Sequence, residues 1–258
     1  MDGATTGKLP EGGRIGIVGR GRVGGAFAKQ LRLAGQTVVG PLGRSFDYDE
    51  FDLALLCVPD AAIADVAAAI PAEKMLGHCS GATPLSALTP HPAFSIHPLT
   101  TVASEDTAFA GVPGAVSASG PEAYAAAVSI AEALGLRAIA VEEDRRAIYH
   151  AAASAASNYL VATGWLAERF ASHAGLERED LRAIASQALE NWLSLGAEQA
   201  LTGPIARGDF VTLERQRQAV GRFEPDLLEA FDEFADATSQ LADTRNQNLS
   251  QVNGARGS

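Results

Sequence analysis

The chain is poor in cysteine, with Cys57 and Cys79 as its two thiols among 258 residues. Two cysteines are too few for a disulfide framework, so both are expected to be reduced thiols in the core. The five histidines are scattered, and no pair of histidines or cysteines has the spacing of a zinc site. We therefore expect neither structural disulfides nor a bound metal ion.

Positive charge and long apolar runs are also scarce. The 20 lysines and arginines stand against 31 acidic residues and form no cluster, which argues against a nucleic-acid surface or an anionic membrane as partner. No run of about 18 uncharged apolar residues is present to span a bilayer. The first residues, MDGATTGKLPEGG, lack the apolar core of a signal peptide. We expect a cytoplasmic protein.

Short apolar runs alternate with helical patterns in the first half of the chain. The predicted strands are Arg14–Val18, Thr37–Gly40, Leu53–Val58, Met75–Cys79, Ala93–Ile96, Ala115–Ala118 and Arg137–Val141. Helical patterns lie between them, at Arg22–Ala34, at Ala61–Ile70 and from Pro121 onward. This alternation predicts an α/β domain over residues 14–142, with a doubly wound and mostly parallel sheet.

Beyond residue 142 the pattern is helical throughout. Helices are predicted at 144–174, 178–200, 210–221 and 225–248, and the segment TGPIARGD interrupts them at 202–209. We predict a smaller all-α domain over 143–250, with flexible tails at 1–13 and 251–258. No low-complexity linker separates the halves, so the cleft between the domains is the expected ligand site.

The segment RIGIVGRGRVGGAF carries a glycine pattern between a predicted strand and a predicted helix. Gly19, Gly21 and Gly24 form GxGxxG. The first glycine permits a tight turn, the second lets the backbone approach a pyrophosphate, and the third lets the helix pack against the strand. The pattern in this setting predicts a Rossmann-type dinucleotide site. The alternative is a glycine turn that binds nothing.

The end of the second predicted strand indicates which dinucleotide is bound. No acidic residue occurs there before Asp47, and Arg44 and Ser45 stand in its place. An acid would hold the ribose 2′-hydroxyl of NAD, whereas a cation and a hydroxyl suit the 2′-phosphate of NADP. We expect NADP(H) rather than NAD(H). The predicted cofactor-binding residues are Gly19, Arg20, Gly21, Arg22, Val23, Gly24, Arg44, Ser45, Val58, Pro59 and Asp60.

Four further segments complete a recognisable set. They are GHCSGATPL (77–85), SIHPLTTV (95–102), IYHAAASAASNYLVATGWL (148–166) and TGPIARGDF (202–210). Together with the glycine loop and CVPD, they resemble the Rossmann-like proteins that carry a DUF2520 C-terminal domain. The resemblance extends from about residue 14 to 245. It implies kinship with the β-hydroxyacid dehydrogenases, with a helical domain that closes the active site and dimerises, and it suggests ketopantoate reduction.

Polar residues on the first long predicted helix are candidates for catalysis. His150, Ser154 and Asn158 recur at every fourth position, so they are expected to share a helix face. A histidine near its ordinary pKa can protonate an alkoxide as hydride arrives, and Asn158 would hold the substrate oxygen. Alternatively, these residues form a polar stripe that packs against the other domain.

Two further groups complete the predicted site. His78, Ser80 and His97 follow neighbouring strands, at the sheet edge where ligands bind, although the histidines could instead bond the loop backbone and shape the cleft wall. Arg207 suits a substrate carboxylate, and Asp209 would orient Arg207 or His150, or cap the next helix. The lysine that several related reductases use is absent, because Lys8, Lys29 and Lys74 lie outside the matching motifs. The predicted catalytic residues are His150, Asn158, Arg207, Asp209, His97, His78 and Ser80.

The sequence therefore predicts an NADPH-dependent reductase of a small carboxylic acid, with 2-ketopantoate favoured by the resemblance. Three alternatives stay open: a reductase of an imine or a prephenate-type acid, a deazaflavin-linked reductase, and a non-catalytic NADP(H)-binding sensor or scaffold. The amphipathic faces of the helical half predict a homodimer through that domain.

Overall fold

The computed structural model describes residues 13–255, and its first part is built on one sheet. The strands are β1 (Arg14–Val18), β2 (Thr37–Leu42), β3 (Leu53–Leu56), β4 (Met75–His78), β5 (Ala93–Pro98), β6 (Pro113–Ala118) and β7 (Arg137–Ala140). They lie in the order β2-β1-β3-β4-β5-β6-β7, and all neighbours are parallel except β5 and β6. This topology confirms the predicted Rossmann-type α/β fold.

Alternating side chains on the central strands build a core on each face of the sheet. Ile15 and Ile17 of β1 point into one cluster with Phe27 of the first helix, whereas Val18 belongs to the cluster on the other face with Phe51. The four residues of β3 are all buried, because both faces of the strand are covered. This double cover explains why β3 is a continuous apolar run in the sequence.

The helices are α1 (Arg22–Leu33), α2 (Ile63–Ala68), α3 (Pro121–Ala133), α4 (Arg146–Ser154), α5 (Leu160–His173), α6 (Arg182–Leu195), α7 (Ala197–Ala200), α8 (Gly203–Ala206), α9 (Phe210–Phe223) and α10 (Leu228–Ala255). The chain divides into two compact units, one ending at Ala155 and the other beginning at Ala156. The division thus falls inside the first long helical region, later than the boundary expected at residue 142. No helix in the described part of the chain is long and apolar enough to cross a membrane.

Three predicted elements differ from those observed. The single helix expected over 144–174 contains a π-helical turn at Ala155–Tyr159, between α4 and α5. The helix expected over 178–200 is broken at Gly196, whose φ of +79° favours glycine and ends α6. The tail expected from residue 251 is helical as far as Ala255, because no proline stops α10. The predicted tail residues 1–12 and 256–258 lie outside the described residues.

Candidate functional site

The glycine loop joins β1 to α1 in the geometry of an anion site. Gly19 has a φ of +123°, and a Cβ there would overlap the carbonyl of Cys57. A Cβ on Gly24 would overlap the carbonyl oxygen of Gly19, so this glycine lets the first turn of α1 pack on the loop. The two glycines therefore fix the tight turn between strand and helix.

The first turn of α1 leaves its backbone N–H groups available. Gly21 is the N-cap, no side chain caps the helix, and the first turn holds no acidic residue. A Cβ on Gly21 would meet no atom within 4 Å, so the backbone is open on this side. Free N–H groups and the positive end of the helix dipole favour a phosphate group here.

A cavity of about 680 Å³ lies beside the glycine loop in the first unit. Its walls come from the glycine loop, the segment after β2, the turn after β3, and α2. The lining residues are Val18, Gly19, Arg20, Gly21, Leu42, Gly43, Arg44, Phe46, Tyr48, Cys57, Val58, Pro59, Ala62, Asp65, Val66 and Ala69. Six of the predicted cofactor-binding residues are therefore brought together: Gly19, Arg20, Gly21, Arg44, Val58 and Pro59.

The remaining predicted cofactor residues lie elsewhere. Arg22 lines a neighbouring depression of about 530 Å³ that it shares with Arg20 and Gly21. Val23 packs against the core, and Ser45 is exposed but does not line the larger cavity. Of the predicted pair Arg44 and Ser45, only Arg44 lines this cavity.

The charges at the cavity suit an anionic nucleotide. Arg20 and Arg44 contribute two guanidinium groups, and Asp65 on α2 contributes one carboxylate. No acidic residue lies at the end of β2, where Leu42 is followed by Gly43 and Arg44. Guanidinium groups at this position bind a phosphate more readily than a ribose hydroxyl.

A second polar cluster lies at the carboxyl ends of β4 and β5, around the buried side chain of Arg146. This arginine from α4 is 5% exposed. It donates to the Ser80 carbonyl oxygen over 3.1 Å, to the Ser95 hydroxyl, and to Glu143 over 3.2 Å. All three nitrogens of the guanidinium have protein partners. Arg146 therefore anchors α4 to the ends of β4 and β5 and has a structural role instead of a ligand-binding one.

His78, at the end of β4, is completely buried, and neither of its ring nitrogens has a hydrogen-bond partner in the described structure. Burial, followed by the nearby Arg146, lowers the pKa of His78 to about 4. The prediction of direct ligand contact is thus corrected for this residue, because its imidazole has no accessible surface.

His97, at the end of β5, has a different setting. Its Nδ1 is 2.6 Å from the Tyr149 hydroxyl, and its ring lies 6.1 Å from that of His150 between centroids. A Cβ on Gly81 would lie 2.6 Å from Cδ2 of His150 and 3.0 Å from Nε2 of His97. The structure therefore brings two of the three predicted histidines together against the backbone of Gly81.

Ser80 and Asp60 form a structural pair at the same edge. The Ser80 hydroxyl donates to the Asp60 carboxylate over 2.8 Å and accepts from the backbone N–H groups of Ala82 and Thr83. These bonds use the donor and both acceptor positions of the hydroxyl. Ser80 and Asp60 therefore hold the loop after β4 in place, and the catalytic and cofactor roles stay predictions for them.

The helical unit carries the other predicted residues. Asn158 is exposed and lies within the π-helical turn, so the four-residue spacing from His150 and Ser154 no longer places the three on one α-helical face. Arg207 is exposed after α8. Asp209 accepts from the backbone N–H of Thr212 over 3.1 Å and caps α9, as the second interpretation of the sequence predicts.

Arg245 of α10 supports the segment around Arg207. Its guanidinium donates to the carbonyl of Leu201 over 3.2 Å and to that of Ala206 over 3.4 Å. Gly203 and Gly208, with φ values of +94° and +71°, form the turns at either end of α8. The segment 201–209 is therefore held in a defined shape within the helical unit.

Sequence reasoning missed Arg146, Tyr149 and Gly81. Arg146 lies one helical turn before His150, and that i, i+4 spacing was a usable signal. Tyr149 precedes His150 inside the IYHAA segment that carried the resemblance. No local pattern indicates that Gly81 contacts two histidine rings, because the contact joins segments far apart in the chain.

The two cysteines lie in the core near the cofactor turn. Cys57 is buried, and Cys79 is half-buried with its Sγ 3.5 Å from the Leu56 carbonyl oxygen. Hydrogen bonding with Cys79, followed by burial, raises the pKa of the Cys57 thiol. Both are free thiols, and the described residues contain no group of histidine, cysteine and acidic side chains arranged to hold a metal ion.

Comparison with known structures identifies relatives of the same fold. A Bacteroides fragilis protein provisionally described as an NADP oxidoreductase aligns with a TM-score of 0.72 and 19% identity, over 88% of this chain and 98% of its own. Protein TM1727 of Thermotoga maritima aligns with a TM-score of 0.72 and 22% identity, over 90% of this chain and 99% of its own. A reductive aminase of Aspergillus terreus, in complex with NADPH and ethyl levulinate, aligns with a TM-score of 0.66 and 18% identity. The alignment covers 90% of this chain and 99% of the aminase chain. No curated protein sequence matches the chain.

A family comparison identifies the second half of the chain. Residues 112–238 match the family described as a domain of unknown function, DUF2520. The match begins at β6, so the family unit includes the end of the sheet as well as the helices, and it starts earlier than the helical domain predicted at 143. The predicted resemblance is confirmed: residues 112–238 match the DUF2520 family, and the similar solved structures share the fold of this chain.

Proposed function

We propose that the protein is an NADP(H)-dependent oxidoreductase that reduces the carbonyl group of a small 2-keto acid, with 2-ketopantoate as the favoured substrate. The observation that carries this proposal is the cavity beside the glycine loop, which joins an open helix N-terminus to Arg20 and Arg44. The relatives described as an NADP oxidoreductase and an NADPH-bound reductive aminase support the same cofactor.

The residues at the cavity fit NADP(H) on structural grounds. The pyrophosphate would lie against the open backbone at Gly21 and the first turn of α1, and Arg44 would hold the 2′-phosphate. Val58 and Pro59, in the turn after β3, would line the nicotinamide side. When bound, NADPH supplies the hydride for the carbonyl carbon of the substrate.

A proton must also reach the carbonyl oxygen, and the two accessible histidines differ in their fitness for this step. Burial, followed by the proximity of His150 and Arg146, lowers the pKa of His97 to about 4. At neutral pH roughly one His97 in a thousand is an imidazolium. His150, half-buried on α4 beside His97, is therefore the proposed proton donor.

Two predicted substrate ligands belong to the helical unit. Arg207 is proposed to bind the substrate carboxylate and Asn158 to bind its oxygen, because a guanidinium pairs in bidentate fashion with a carboxylate and an amide donates to a carbonyl. These roles stay predictions of the sequence.

Turnover on purified protein tests the proposal. NADPH absorbance would be followed with 2-ketopantoate, with pyrroline-5-carboxylate and without an acceptor. Loss of NADPH with ketopantoate, and not in the blank, supports the proposed substrate. Tight NADPH binding without any turnover would favour the sensor or scaffold over an enzyme.

Imine reduction is the second candidate, and the likeness to an NADPH-bound reductive aminase favours it. Protonation by His150 serves an imine nitrogen as well as a carbonyl oxygen, so the polar cluster suits either substrate. Faster turnover of the cyclic imine than of the keto acid would select this candidate.

Arg44 is expected to set the preference for NADP over NAD. A charge-assisted hydrogen bond contributes roughly 1.5–3 kcal/mol, so Arg44→Ala should weaken NADPH binding about 10- to 100-fold and leave NADH binding unchanged. Ser45→Ala is the matched control and should change neither affinity, because Ser45 does not line the cavity. Fluorescence titration measures both cofactors. Equal losses of affinity for NADPH and NADH in Arg44→Ala would contradict the proposed contact with the 2′-phosphate.

The helical unit is proposed to form a homodimer. Large apolar side chains on its described surface are exposed, among them Val161 at 74% and Ile184 at 71%. Apolar area of this kind in a monomer is typical of an interface. Sedimentation equilibrium should give twice the chain mass of 26.7 kDa. A species of that single mass at micromolar concentration would contradict the proposed dimer.

A further inference from the structure

The hydrogen bond between His97 and Tyr149 controls which ring nitrogen of His97 carries a proton. A neutral imidazole has one donor nitrogen and one acceptor nitrogen, so the partner of Nδ1 decides the state of Nε2. Tyr149 approaches Nδ1 at 2.6 Å from α4. Nε2 lies on the opposite side of the ring, near the backbone of Gly81.

The direction of this bond follows from the chemistry of the two groups. Burial raises the pKa of Tyr149 to about 12, so its phenol stays protonated. The titratable and charged groups that act on His97 from the packed elements are Asp60, His78, Arg146, Tyr149 and His150. Asp60 favours the imidazolium, but burial and the cation of Arg146 outweigh it, and the ring stays neutral. A phenol is a better donor than a neutral imidazole, and an imidazole nitrogen is the better acceptor of the two.

We propose that Tyr149 is a positioning residue: its hydroxyl donates to Nδ1 of His97 and fixes the imidazole with its proton on Nε2. That N–H is then a hydrogen-bond donor at the carboxyl edge of the sheet, beside His150. It polarises the substrate carbonyl or imine while His150 supplies the proton. This catalytic half rests on the proposed reductase function, whereas the tautomer of His97 does not.

The packing around His97 preserves this orientation. Gly81 leaves no room for a side chain between its backbone and the two histidine rings. Arg146 binds the Ser80 carbonyl, one residue before Gly81, and so holds this backbone in place. His97 is thus held at Nδ1 by a hydrogen bond and beside Cε1 by the backbone of Gly81, which leaves the ring little freedom to flip.

The tautomer is read directly by long-range ¹H–¹⁵N NMR on the full chain labelled at histidine. Comparison with His97→Gln assigns the His97 signals. The expected result is a neutral ring with its proton on Nε2 across about pH 6–8, the range in which an ordinary histidine changes charge. In Tyr149→Phe, the fixed tautomer should be replaced by a mixture of the two forms. Tyr124→Phe, at an exposed position of α3, should leave the His97 signals unchanged.

Three results would overturn the proposal: a His97 proton on Nδ1 in the wild type, titration of His97 near its ordinary pKa, or an unchanged tautomer in Tyr149→Phe. Thermal unfolding of Tyr149→Phe shows that the variant is folded, and phenylalanine keeps the ring in place. With an identified substrate, the same variant should lower kcat about tenfold at unchanged affinity for NADPH. Because the NMR result needs no substrate, a failure of the proposed function stays distinguishable from a failure of this proposal.

Discussion

Replacing Gly21 with alanine is expected to weaken NADPH binding about 100-fold and to change the free energy of unfolding by less than about 1 kcal/mol. A Cβ at this N-cap meets no protein atom within 4 Å, and its backbone is extended, with φ −77° and ψ 177°. The free protein therefore accommodates the methyl group. The pyrophosphate does not, because it would approach the backbone where the methyl group stands.

Gly24→Ala is the matched variant, and it is expected to destabilise the fold itself. Its Cβ would overlap the carbonyl oxygen of Gly19, which is backbone and yields only if the helix moves. Overpacking of this kind costs about 1–3 kcal/mol, so the melting temperature should fall by several degrees. NADPH binding should also be lost, since the loop that presents Gly21 is displaced.

Thermal unfolding and fluorescence titration of the two variants distinguish a direct loss of NADPH contact from a loss of binding through destabilisation of the fold. A stable Gly21→Ala protein with weak NADPH binding places the pyrophosphate at this turn. Wild-type affinity in Gly21→Ala would show that no phosphate approaches the loop, and the proposed cofactor site would have to be abandoned. Gly24→Ala then serves as the measure of how much binding is lost through disruption of the loop alone.

The sheet was predictable because its signals are local. Leu53–Leu56 is an unbroken apolar run because both faces of β3 are covered, and Gly19 is required by its positive φ and by the carbonyl of Cys57. Each strand was found within two residues at either end for the same reason. The order of the strands and the reversal at β6 became visible only in the structure, since they depend on pairings between distant segments.

The polar cluster was predictable only in part. The positions of His97 and His150 could be inferred from strand ends and helical spacing, but their encounter depends on Gly81, which local patterns do not reveal. The complete burial of His78 likewise follows from how β4 is covered. The π-helical turn at Ala155–Tyr159 gives no signal, because the segment AASNY is equally compatible with a regular α-helix. Long-range packing, rather than propensity, decides these features.

Arg146→Met is expected to lower the free energy of unfolding by about 3 kcal/mol, because it removes the guanidinium and leaves its three buried or half-buried acceptors without that partner. The Ser95 hydroxyl and the Ser80 carbonyl would lose a partner at a site from which water is excluded. Arg145→Met is the matched control. Arg145 is 74% exposed, so its loss should change stability by less than about 0.5 kcal/mol.

The pH dependence of stability gives the same substitution a second readout. In the wild type, folding holds the pKa of both His78 and His97 near 4, below the ordinary value of 6.5. Between these values the unfolded chain binds protons that the folded chain does not. Stability is therefore fully present above about pH 6.5 and is lost progressively as the pH falls to about 4.

Arg146→Met should narrow the pH range over which protonation of His78 and His97 destabilises the folded state. Burial remains the main cause of both low pKa values, but removal of the neighbouring cation should raise both values toward 6.5. The folded state then takes up protons at a higher pH. The loss of stability on acidification therefore becomes smaller. Urea unfolding of the wild type, Arg146→Met and Arg145→Met at several pH values tests this. If Arg146→Met were as stable as Arg145→Met at neutral pH, Arg146 would not be the anchor of the polar cluster. An unchanged pH dependence would show instead that burial alone keeps the two histidines neutral.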